Sequence, residues 1–341
     1  LPTGAGKSLT YQMSTLLQPG ISLVIAPLKS LMMDQNDNLV AAGIDSTAFI
    51  NSSLKGRERR RTQRRMHEGE YQFIFISPER LQIQEFRDAL SDLTVPVTYC
   101  VVDEAHCVSE WGHDFRTAYL RLGENAHEHC ETLWEELPII ALTGTASFDV
   151  LADVRRELDV DRNSATVTPE SMEREELQFE IVPVPSPEID SDNPWDIKRA
   201  VYAQKKETLQ RVIQSLPARF RNGNDTNDAN EENEFFSLQN DDTNSGLIFT
   251  PHATGDFGVQ KLADAVRGSI PKLRRTTGTY ASSDDETSED ELIRTQERFK
   301  ANDLNTLVAT KAFGMGIDKP NIRYTIHMNM PQSIESYYQE A

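Results

Sequence analysis

The sequence predicts an α/β fold with two domains, each built on a mostly parallel β-sheet that has helices on both faces. Both halves of the 341-residue chain alternate short apolar runs with polar stretches of helical period. A glycine-containing phosphate-binding loop stands at the start of the first half. Several apolar runs end in polar or acidic residues, as strands of a ligand-binding parallel sheet do. This length accommodates two domains of ordinary size.

Four apolar runs predict the strands of the first domain. They are "SLVIAP" at 22–27, "FIFISP" at 73–78, "YCVVDE" at 99–104 and "IIALTG" at 139–144. Four further runs predict the strands of the second domain. They are "GLIFTP" at 246–251, "TTGTYA" at 276–281, "NTLVAT" at 305–310 and "IRYTIHM" at 322–328. Helical stretches between successive runs favour parallel crossovers in both domains.

The composition between these blocks predicts the domain organisation. We assign residues 1–168 to the first domain, 169–200 to a linker that leads into the second domain, and 201–341 to the second domain. Proline and acidic residues enrich the linker. Residues 222–245 contain few apolar side chains and predict a disordered acidic insertion. That insertion is either a solvated loop or a segment that docks a protein partner through Phe235 and Phe236.

The net charge of −19 does not exclude a nucleic-acid partner, because the acidic residues are segregated. Residues 170–180, 188–196, 222–245 and 284–291 together carry a net charge of −21, so the remainder of the chain carries +2. The excess of arginine (24) over lysine (11) leaves adaptation to high salt as a second explanation of the acidic surface.

The sequence contains no apolar run long enough for a membrane span, so no membrane partner is expected. The three cysteines form no CxxC pair and favour a reducing, intracellular compartment. Zinc is not expected, because no second ligand pair of suitable spacing follows "HEHC" at 127–130. Since the chain begins with Leu1 inside a loop and ends within a helical pattern, we expect it to be part of a longer protein.

The hexapeptide "TGAGKS" predicts a phosphate site made of Thr3, Gly4, Ala5, Gly6, Lys7 and Ser8. Its glycines allow backbone amides to face an anion at the start of a helix. Lys7 would bind the β and γ phosphates, and the Ser8 hydroxyl would coordinate Mg²⁺. Leu1 stands where the strict pattern has its first glycine. The strand that anchors such a loop is expected upstream of residue 1.

Two carboxylates, Asp103 and Glu104, follow the apolar run "YCVV". One of them would hold Mg²⁺ through water, and the other would orient and deprotonate the attacking water. The alternative is that the pair caps the next helix. The phosphate-binding loop about a hundred residues upstream favours the catalytic interpretation.

A polar stretch after these carboxylates contains large aromatic residues. Trp111 and Phe115 could stack on nucleic-acid bases and Arg116 could hold a phosphate, or the two rings could be core residues of a surface loop. The basic segment "KGRERRRTQRR" at 55–65 leaves a similar choice. It either follows a DNA backbone or forms the solvated face of an exposed helix.

The stretch "DEAHCVSEWGHDFRTAY" closely resembles helicase motif II and the aromatic-rich loop of the RecQ family of superfamily 2 DNA helicases. The resemblance covers nearly the whole chain, with its motifs in the family's order. "LPTGAGKSLTYQ" resembles motif I, "APLKSLMMDQNDNL" motif Ia, "ISPERL" motif Ib and "LTGTAS" motif III. "FKANDLNTLVATKAFGMGIDKPNIRYTIHMNMP" resembles motif V with its flanks, and "SIESYYQEA" the start of motif VI.

The resemblance implies two RecA-like domains with ATP and Mg²⁺ between them and single-stranded DNA across both. It implies 3′-to-5′ translocation on single strands and unwinding of duplex DNA. It assigns the coupling of nucleotide and DNA to His106, Thr143 and Thr145. It assigns DNA contact to Trp111, His113, Phe115, Arg116 and Thr310, and nucleotide contact to Gly316 and Asp318, with Gly314 in the same motif. A RecQ-type protein would be cytoplasmic and nucleoid-associated in a prokaryote and nuclear in a eukaryote.

Some positions depart from the family's pattern. Glu110 stands in place of glutamine, Gly144 in place of alanine, and "TYASSDDE" at 279–286 lacks the usual histidine. The arginines of motif VI are expected beyond residue 341, and the adenine-reading glutamine motif before residue 1. Two alternatives to a DNA helicase follow. One is an ATP-gated module that binds single-stranded DNA without productive hydrolysis, and the other is an RNA helicase of the same superfamily.

Overall fold

We describe the protein from a computed structural model. The described residues are 6–50, 56–110, 118–144, 148–160, 165–168, 177–220, 234–281, 289–313, 319–331 and 337. The chain divides into two compact units, Leu1–Arg174 and Glu175–Ala341. Each unit contains its own parallel sheet, which confirms the predicted fold class.

The first unit contains a five-stranded sheet in the order β2-β3-β1-β4-β5, and every pairing in it is parallel. Its strands are β1 (Ile21–Ile25), β2 (Thr47–Ile50), β3 (Phe73–Ile76), β4 (Val97–Val102) and β5 (Ile139–Ala141). Four of them confirm the predicted runs. The sequence did not predict β2, because this edge strand is short and only half-buried along "AF".

The helices of the first unit cover both faces of this sheet. They are α1 (Lys7–Leu16), α2 (Lys29–Ala41), α3 (Gly56–His67), α4 (Gln84–Ser91), α5 (Cys107–Glu110), α6 (Leu122–His129) and α7 (Phe148–Glu157). A 3₁₀ helix spans Pro78–Gln82. Side chains alternate along β1, so that Leu23 and Ile25 pack towards α4, α6 and α7. Val24 packs on the other face, with Tyr11 of α1 and Met32 of α2.

The second unit contains a four-stranded parallel sheet in the order β7-β8-β6-β9. Its strands are β6 (Ser245–Phe249), β7 (Thr277–Tyr280), β8 (Thr306–Ala309) and β9 (Ile322–His327), as predicted. Its helices are α8 (Pro194–Arg219), α9 (Val259–Ser269), α10 (Leu273–Thr276) and α11 (Glu289–Lys300), followed by a 3₁₀ helix at Lys311–Phe313. Ile248 faces α8 and α9, whereas Phe249 faces Phe299 of α11.

The structure corrects part of the predicted disordered insertion. Residues 222–233 lie outside the described residues, but residues 234–245 are described and lead directly into β6. Phe236 is fully buried in the core of the second unit, and Phe235 stacks on Tyr324. The prediction of disorder is therefore wrong for 234–245, because two aromatic side chains bury enough apolar surface to order this short segment. Phe236 is part of the core and Phe235 packs against it, so this pair is not an exposed docking site.

The predicted boundaries at residues 168 and 200 remain predictions, since 169–176 lie outside the described residues. Helix α8 begins within the predicted linker, where the Asn193 side chain accepts a hydrogen bond from the Trp195 amide. No helix in the described part of the chain combines the length and the apolar character that crossing a bilayer requires. All three cysteines are free and buried. Burial raises the pKa of the Cys100 thiol well above its usual value and that of the Cys130 thiol to about 12.

Candidate nucleotide site and its neighbours

The predicted phosphate site begins at the amino terminus of α1. Gly6 precedes the helix with φ 80° and ψ 28°, a left-handed conformation that favours glycine. Lys7 and Ser8 form the first turn of α1, where backbone N–H groups have no partner within the helix. This end of a helix attracts anions. Thr3, Gly4 and Ala5 lie outside the described residues.

Asp103 lies directly after β4, next to the central strand β1, and its backbone N–H donates to the Ile25 carbonyl at 2.9 Å. The side chain is 4% exposed. Its Oδ1 accepts a 2.9 Å hydrogen bond from the Glu104 backbone N–H. Its Oδ2 accepts a 2.5 Å hydrogen bond from Nε2 of Gln35. Both carboxylate oxygens are therefore oriented by fixed donors.

Glu104 follows in a left-handed backbone conformation, with φ 49°. Such a conformation is uncommon for a residue other than glycine and is found often at functional sites. The Glu104 side chain is turned towards His106, whose Nδ1 lies 3.3 Å from Oε2. The two adjacent carboxylates thus have different partners, Gln35 for Asp103 and His106 for Glu104.

These partners give the two carboxyl groups different proton affinities. Burial, together with repulsion from Glu104, raises the pKa of Asp103 to about 6, although Gln35, the Glu104 amide and Lys7 oppose the shift. Burial also acts to raise the pKa of Glu104, but the hydrogen bond from His106 and the charges of Lys7 and His106 outweigh it. The net pKa of Glu104 lies below its ordinary value, so Glu104 is ionised at neutral pH.

His106 connects this carboxylate to the end of the neighbouring strand β5. Its ring is buried, and Nδ1 lies 3.1 Å from Oγ1 of Thr143, which follows β5. The Ala105 backbone N–H donates to the Leu142 carbonyl at 2.8 Å, which fixes the two loops against each other. The family resemblance implied a coupling role for His106 and Thr143, and the structure places the two side chains in contact. Thr145 lies outside the described residues.

Gln35 and Tyr11 extend the site beyond the residues that the sequence predicted. The Tyr11 hydroxyl donates to Oε1 of Gln35 at 2.7 Å, and Gln35 donates to Asp103. Asp103, one of the two predicted Mg²⁺ ligands, is thus connected through Gln35 to Tyr11 of α1. The glutamine in the stretch "LMMDQNDNL" was the sequence signal for this contact, because a buried side-chain amide requires hydrogen-bond partners.

The predicted DNA-contacting residues fall mostly outside the described residues. This applies to Trp111, His113, Phe115 and Arg116, and also to Gly314, Gly316 and Asp318 of the second unit. Helix α5 is described and ends at Glu110, directly before this aromatic stretch. Thr310 follows β8 in the second unit, half-buried, and its backbone N–H donates to the Tyr280 carbonyl at 3.2 Å.

Residues 56–65 of the basic segment form most of helix α3, and their arginines are exposed or half-buried. Lys55 lies outside the described residues. Arg65 stacks over the Tyr71 ring at 4.7 Å and pairs with Glu70 at 2.5 Å. Met66 anchors the helix in the core. The helix therefore presents a basic face to solvent, and DNA binding there stays a prediction.

Comparison with known proteins agrees with this arrangement. The DEAD/DEAH box helicase family matches residues 1–154, and the helicase conserved C-terminal domain matches residues 232–341. The ATP-dependent DNA helicase RecQ of Bacillus subtilis is 34% identical over 100% of this chain and 47% of its own length. The ATP-dependent DNA helicase Q1 of Rattus norvegicus is 32% identical, again over 100% of this chain and 47% of its own length.

Among solved structures, the helicase Lhr of Mycobacterium smegmatis, bound to single-stranded DNA and AMP-PNP, shares the fold with a TM-score of 0.66. It is 18% identical, and the match covers 99% of this chain and 40% of that protein. The chain spans about half the length of the curated relatives that it matches. Two helicase family models match separate parts of the chain, and along its entire length the chain is similar to ATP-dependent DNA helicases of the RecQ type.

Proposed function

We propose that this chain is the motor portion of an ATP-dependent DNA helicase, which hydrolyses ATP to move along single-stranded DNA and to separate duplex DNA. The observation that carries the proposal is the continuous contact from Asp103 and Glu104 through His106 to Thr143. The comparisons support it, since relatives similar along the whole chain are named ATP-dependent DNA helicases.

Nucleotide binding is assigned to the start of α1. The free N–H groups there and the Lys7 ammonium would hold the phosphates of ATP. Glu104, ionised at neutral pH, would orient the attacking water and accept its proton. Its lowered pKa makes it a weak base, so we assign most of its contribution to positioning the water.

Magnesium is part of the same proposal. A carboxylate and a hydroxyl are oxygen ligands of the kind that Mg²⁺ prefers, and Asp103 and Ser8 supply them. Burial makes the ionised form of the Asp103 carboxyl unfavourable. A divalent cation beside the carboxyl would stabilise that form. When bound, the cation would offset negative charge on the phosphates.

DNA contact is assigned to Trp111, His113, Phe115 and Arg116, which follow α5. Aromatic rings stack on unpaired bases, and arginine contacts phosphate. Only the four residues of α5 separate His106 from this stretch. DNA bound at the aromatic stretch could therefore move His106 relative to Glu104 and Thr143. We assign the 3′-to-5′ direction on the basis of the family resemblance.

The test is ATP hydrolysis by the chain with and without a single-stranded DNA oligonucleotide. We expect strong stimulation by DNA and loss of that stimulation in the double variant Trp111→Ala with Phe115→Ala. Trp134→Ala is the matched control, since Trp134 is an exposed tryptophan of the same unit outside the site. An RNA oligonucleotide of the same length should stimulate less. If DNA binds but never raises hydrolysis, the chain is an ATP-gated binding module, and equal stimulation by RNA would indicate an RNA helicase.

Location in a reducing compartment, cytoplasmic in a prokaryote or nuclear in a eukaryote, belongs to the same proposal. It is supported by the three cysteines, which are buried as free thiols. Fractionation of source cells with an antibody to the chain would test it, and recovery from a secreted fraction would contradict it.

A further inference from the structure

In the described part of the second unit, a groove of about 700 Å³ runs along one edge of the sheet. The edge strand is β7, and among the described residues of this unit it pairs with β8 alone. Helices α9 and α11, which cover opposite faces of the sheet, supply the two walls of the groove. The backbone of β7 forms its floor.

The hydrogen bonds of β7 show which backbone groups face the groove. The carbonyls of Thr276 and Tyr280 accept hydrogen bonds from the Asn305 and Thr310 amides, on the β8 side. Successive residues of a strand direct their backbone groups to opposite sides, so those of Thr277 and Thr279 face outwards. The Thr277 carbonyl confirms this direction, because it accepts a 3.0 Å hydrogen bond from Arg267 Nη2 of α9.

One end of the groove is strongly basic. Arg267, Arg274, Arg275 and Arg298 line it, and Glu291 is the single acidic residue among the described lining residues. Arg267 is paired with Asp264. The other three arginines are exposed and form no ion pair within the described part of the second unit. All four arginines lie on or after the last turns of α9, α10 and α11, near the start of β7, so the charge is concentrated at one end.

These features lead us to infer that the β7 groove binds an extended acidic peptide segment of a partner protein as an added β-strand. A strand edge that offers both N–H donors and C=O acceptors pairs with another peptide backbone, which supplies both. The sugar-phosphate backbone of DNA supplies hydrogen-bond acceptors and no donors, so it would not pair with the outward Thr279 carbonyl. The arginines would select acidic side chains at the end of the peptide that lies beside the start of β7.

The dimensions of the groove set the length of the peptide. Four residues of β7 at about 3.3 Å per residue span about 13 Å, so about five peptide residues would pair with it. Leu292 of α11 and Leu304 also line the groove, next to Thr295. We therefore expect the peptide to follow its acidic residues with alternating apolar and hydroxyl-bearing residues.

The test uses the complete chain and a fluorescein-labelled heptapeptide with three aspartates followed by alternating valine and threonine. A second peptide has the same residues in reverse order. We expect fluorescence anisotropy to show saturable binding of one of the two orders. The inference would be overturned if neither peptide binds at concentrations up to about 1 mM, which corresponds to a very weak affinity.

Charge reversal at the basic end provides the first variant. Arg274→Glu with Arg275→Glu should weaken peptide binding at least about tenfold, as expected when close charge pairs are replaced by repulsion. Arg294→Glu with Arg323→Glu is the matched control, because these arginines are exposed in the same unit and do not line the groove. An equal loss in both variants would mean non-specific attraction and would overturn the inference.

Methylation of peptide nitrogens tests strand addition without altering the protein. In an added strand, alternate N–H groups face β7 and the others face solvent. One alternating set of N-methyl groups should therefore abolish binding, and the other set should preserve it. If both sets bind equally and a single-stranded oligonucleotide displaces the peptide, the groove binds nucleic acid. Tighter peptide binding after deletion of residues 222–233 would identify this chain's own acidic stretch as the occupant. Either result would overturn the proposed partner peptide.

Discussion

Gln35 and Asp103 are joined by a 2.5 Å hydrogen bond between side chains that are 68 positions apart in the sequence. Gln35 lies on α2 and is 6% exposed, and Asp103 follows β4 and is 4% exposed. The bond therefore lies in a protected interior, where hydrogen bonds to a charged group are stronger than at the surface. Gln35 orients one oxygen of the proposed Mg²⁺ ligand and makes its ionised form easier to maintain.

Replacement of Gln35 by leucine should weaken magnesium binding more than nucleotide binding. Loss of the donor favours protonation of Asp103, and a hydrogen bond to a charged group is worth about 1.5–3 kcal/mol. We expect the Mg²⁺ concentration for half-maximal ATP hydrolysis to rise about tenfold, with a smaller change in KM for ATP. Titration of Mg²⁺ at saturating ATP measures this.

Tyr11→Phe is the control for that prediction, because it removes the far end of the polar chain and retains the Gln35–Asp103 bond. Its effect on the Mg²⁺ requirement should be much smaller. If Gln35→Leu lowers thermal stability but leaves the Mg²⁺ requirement unchanged, Gln35 has only a structural role.

Replacement of Asp103 by asparagine should stabilise the protein at neutral pH when no Mg²⁺ is present. The pKa of Asp103 is raised from 3.8 to about 6 in the folded chain. The folded state therefore binds the proton more tightly than the unfolded state, and stability falls as the pH rises from about 4 to about 6. Above that window the ionised carboxyl costs about 3 kcal/mol. Asparagine avoids this cost, although the substitution also disturbs a hydrogen bond that offsets part of the gain.

Thermal unfolding in EDTA at pH 7.5 and at pH 4.5 measures this effect. The melting temperature of Asp103→Asn should exceed that of the unsubstituted chain at pH 7.5, and the difference should shrink at pH 4.5. A difference of the opposite sign at pH 7.5 would show that the pKa of Asp103 is not raised. ATP hydrolysis should be lost at both pH values.

Replacement of Thr143 by valine should reduce the stimulation of ATP hydrolysis by DNA and leave the rate without DNA nearly unchanged. Valine retains the shape of threonine but removes the hydroxyl that lies 3.1 Å from His106 Nδ1. The buried ring then loses one partner, at a cost of about 1–3 kcal/mol. We expect the rate of ATP hydrolysis without DNA to change by less than about threefold. The stimulation of that rate by DNA should fall about tenfold.

Thr143→Ser retains the hydroxyl and should preserve most of the stimulation. The ratio of ATP hydrolysis rates with and without single-stranded DNA gives the comparison directly. Equal losses of the basal and the stimulated rate in Thr143→Val would exclude a coupling role for this contact.

Replacement of Gly6 by alanine should weaken nucleotide binding. Gly6 has φ 80°, and an alanine there costs about 1–2 kcal/mol, which shifts the start of α1 away from its observed geometry. Gly43→Ala is matched to it, since Gly43 has φ 85°, lies in the same unit and has no atom within 4 Å of an added Cβ. Binding of a fluorescent ATP analogue should weaken about tenfold in Gly6→Ala and little in Gly43→Ala. Equal weakening would indicate a general loss of stability.

The strands and the carboxylate pair were predictable because their signals are local. Val97–Val102 is an apolar run that ends at Asp103, and a buried parallel strand requires such a run. The Gln35–Asp103 bond was not predictable, because nothing in the spacing of these residues shows that α2 passes beside the end of β4. Phe236 was misassigned for a similar reason. Its neighbours in sequence are polar, and only the fold brings the core of the second unit to it.

The burial of Cys100, Cys107 and Cys130 has a practical consequence for optical work on this protein. Maleimide dyes react with thiolates, and burial keeps the Cys100 and Cys130 thiols protonated at neutral pH. A cysteine introduced on an exposed position of each unit would therefore be labelled selectively, with the native thiols left in place. Single-molecule energy transfer between two such dyes would then show whether added ATP changes the distance between the labelled positions.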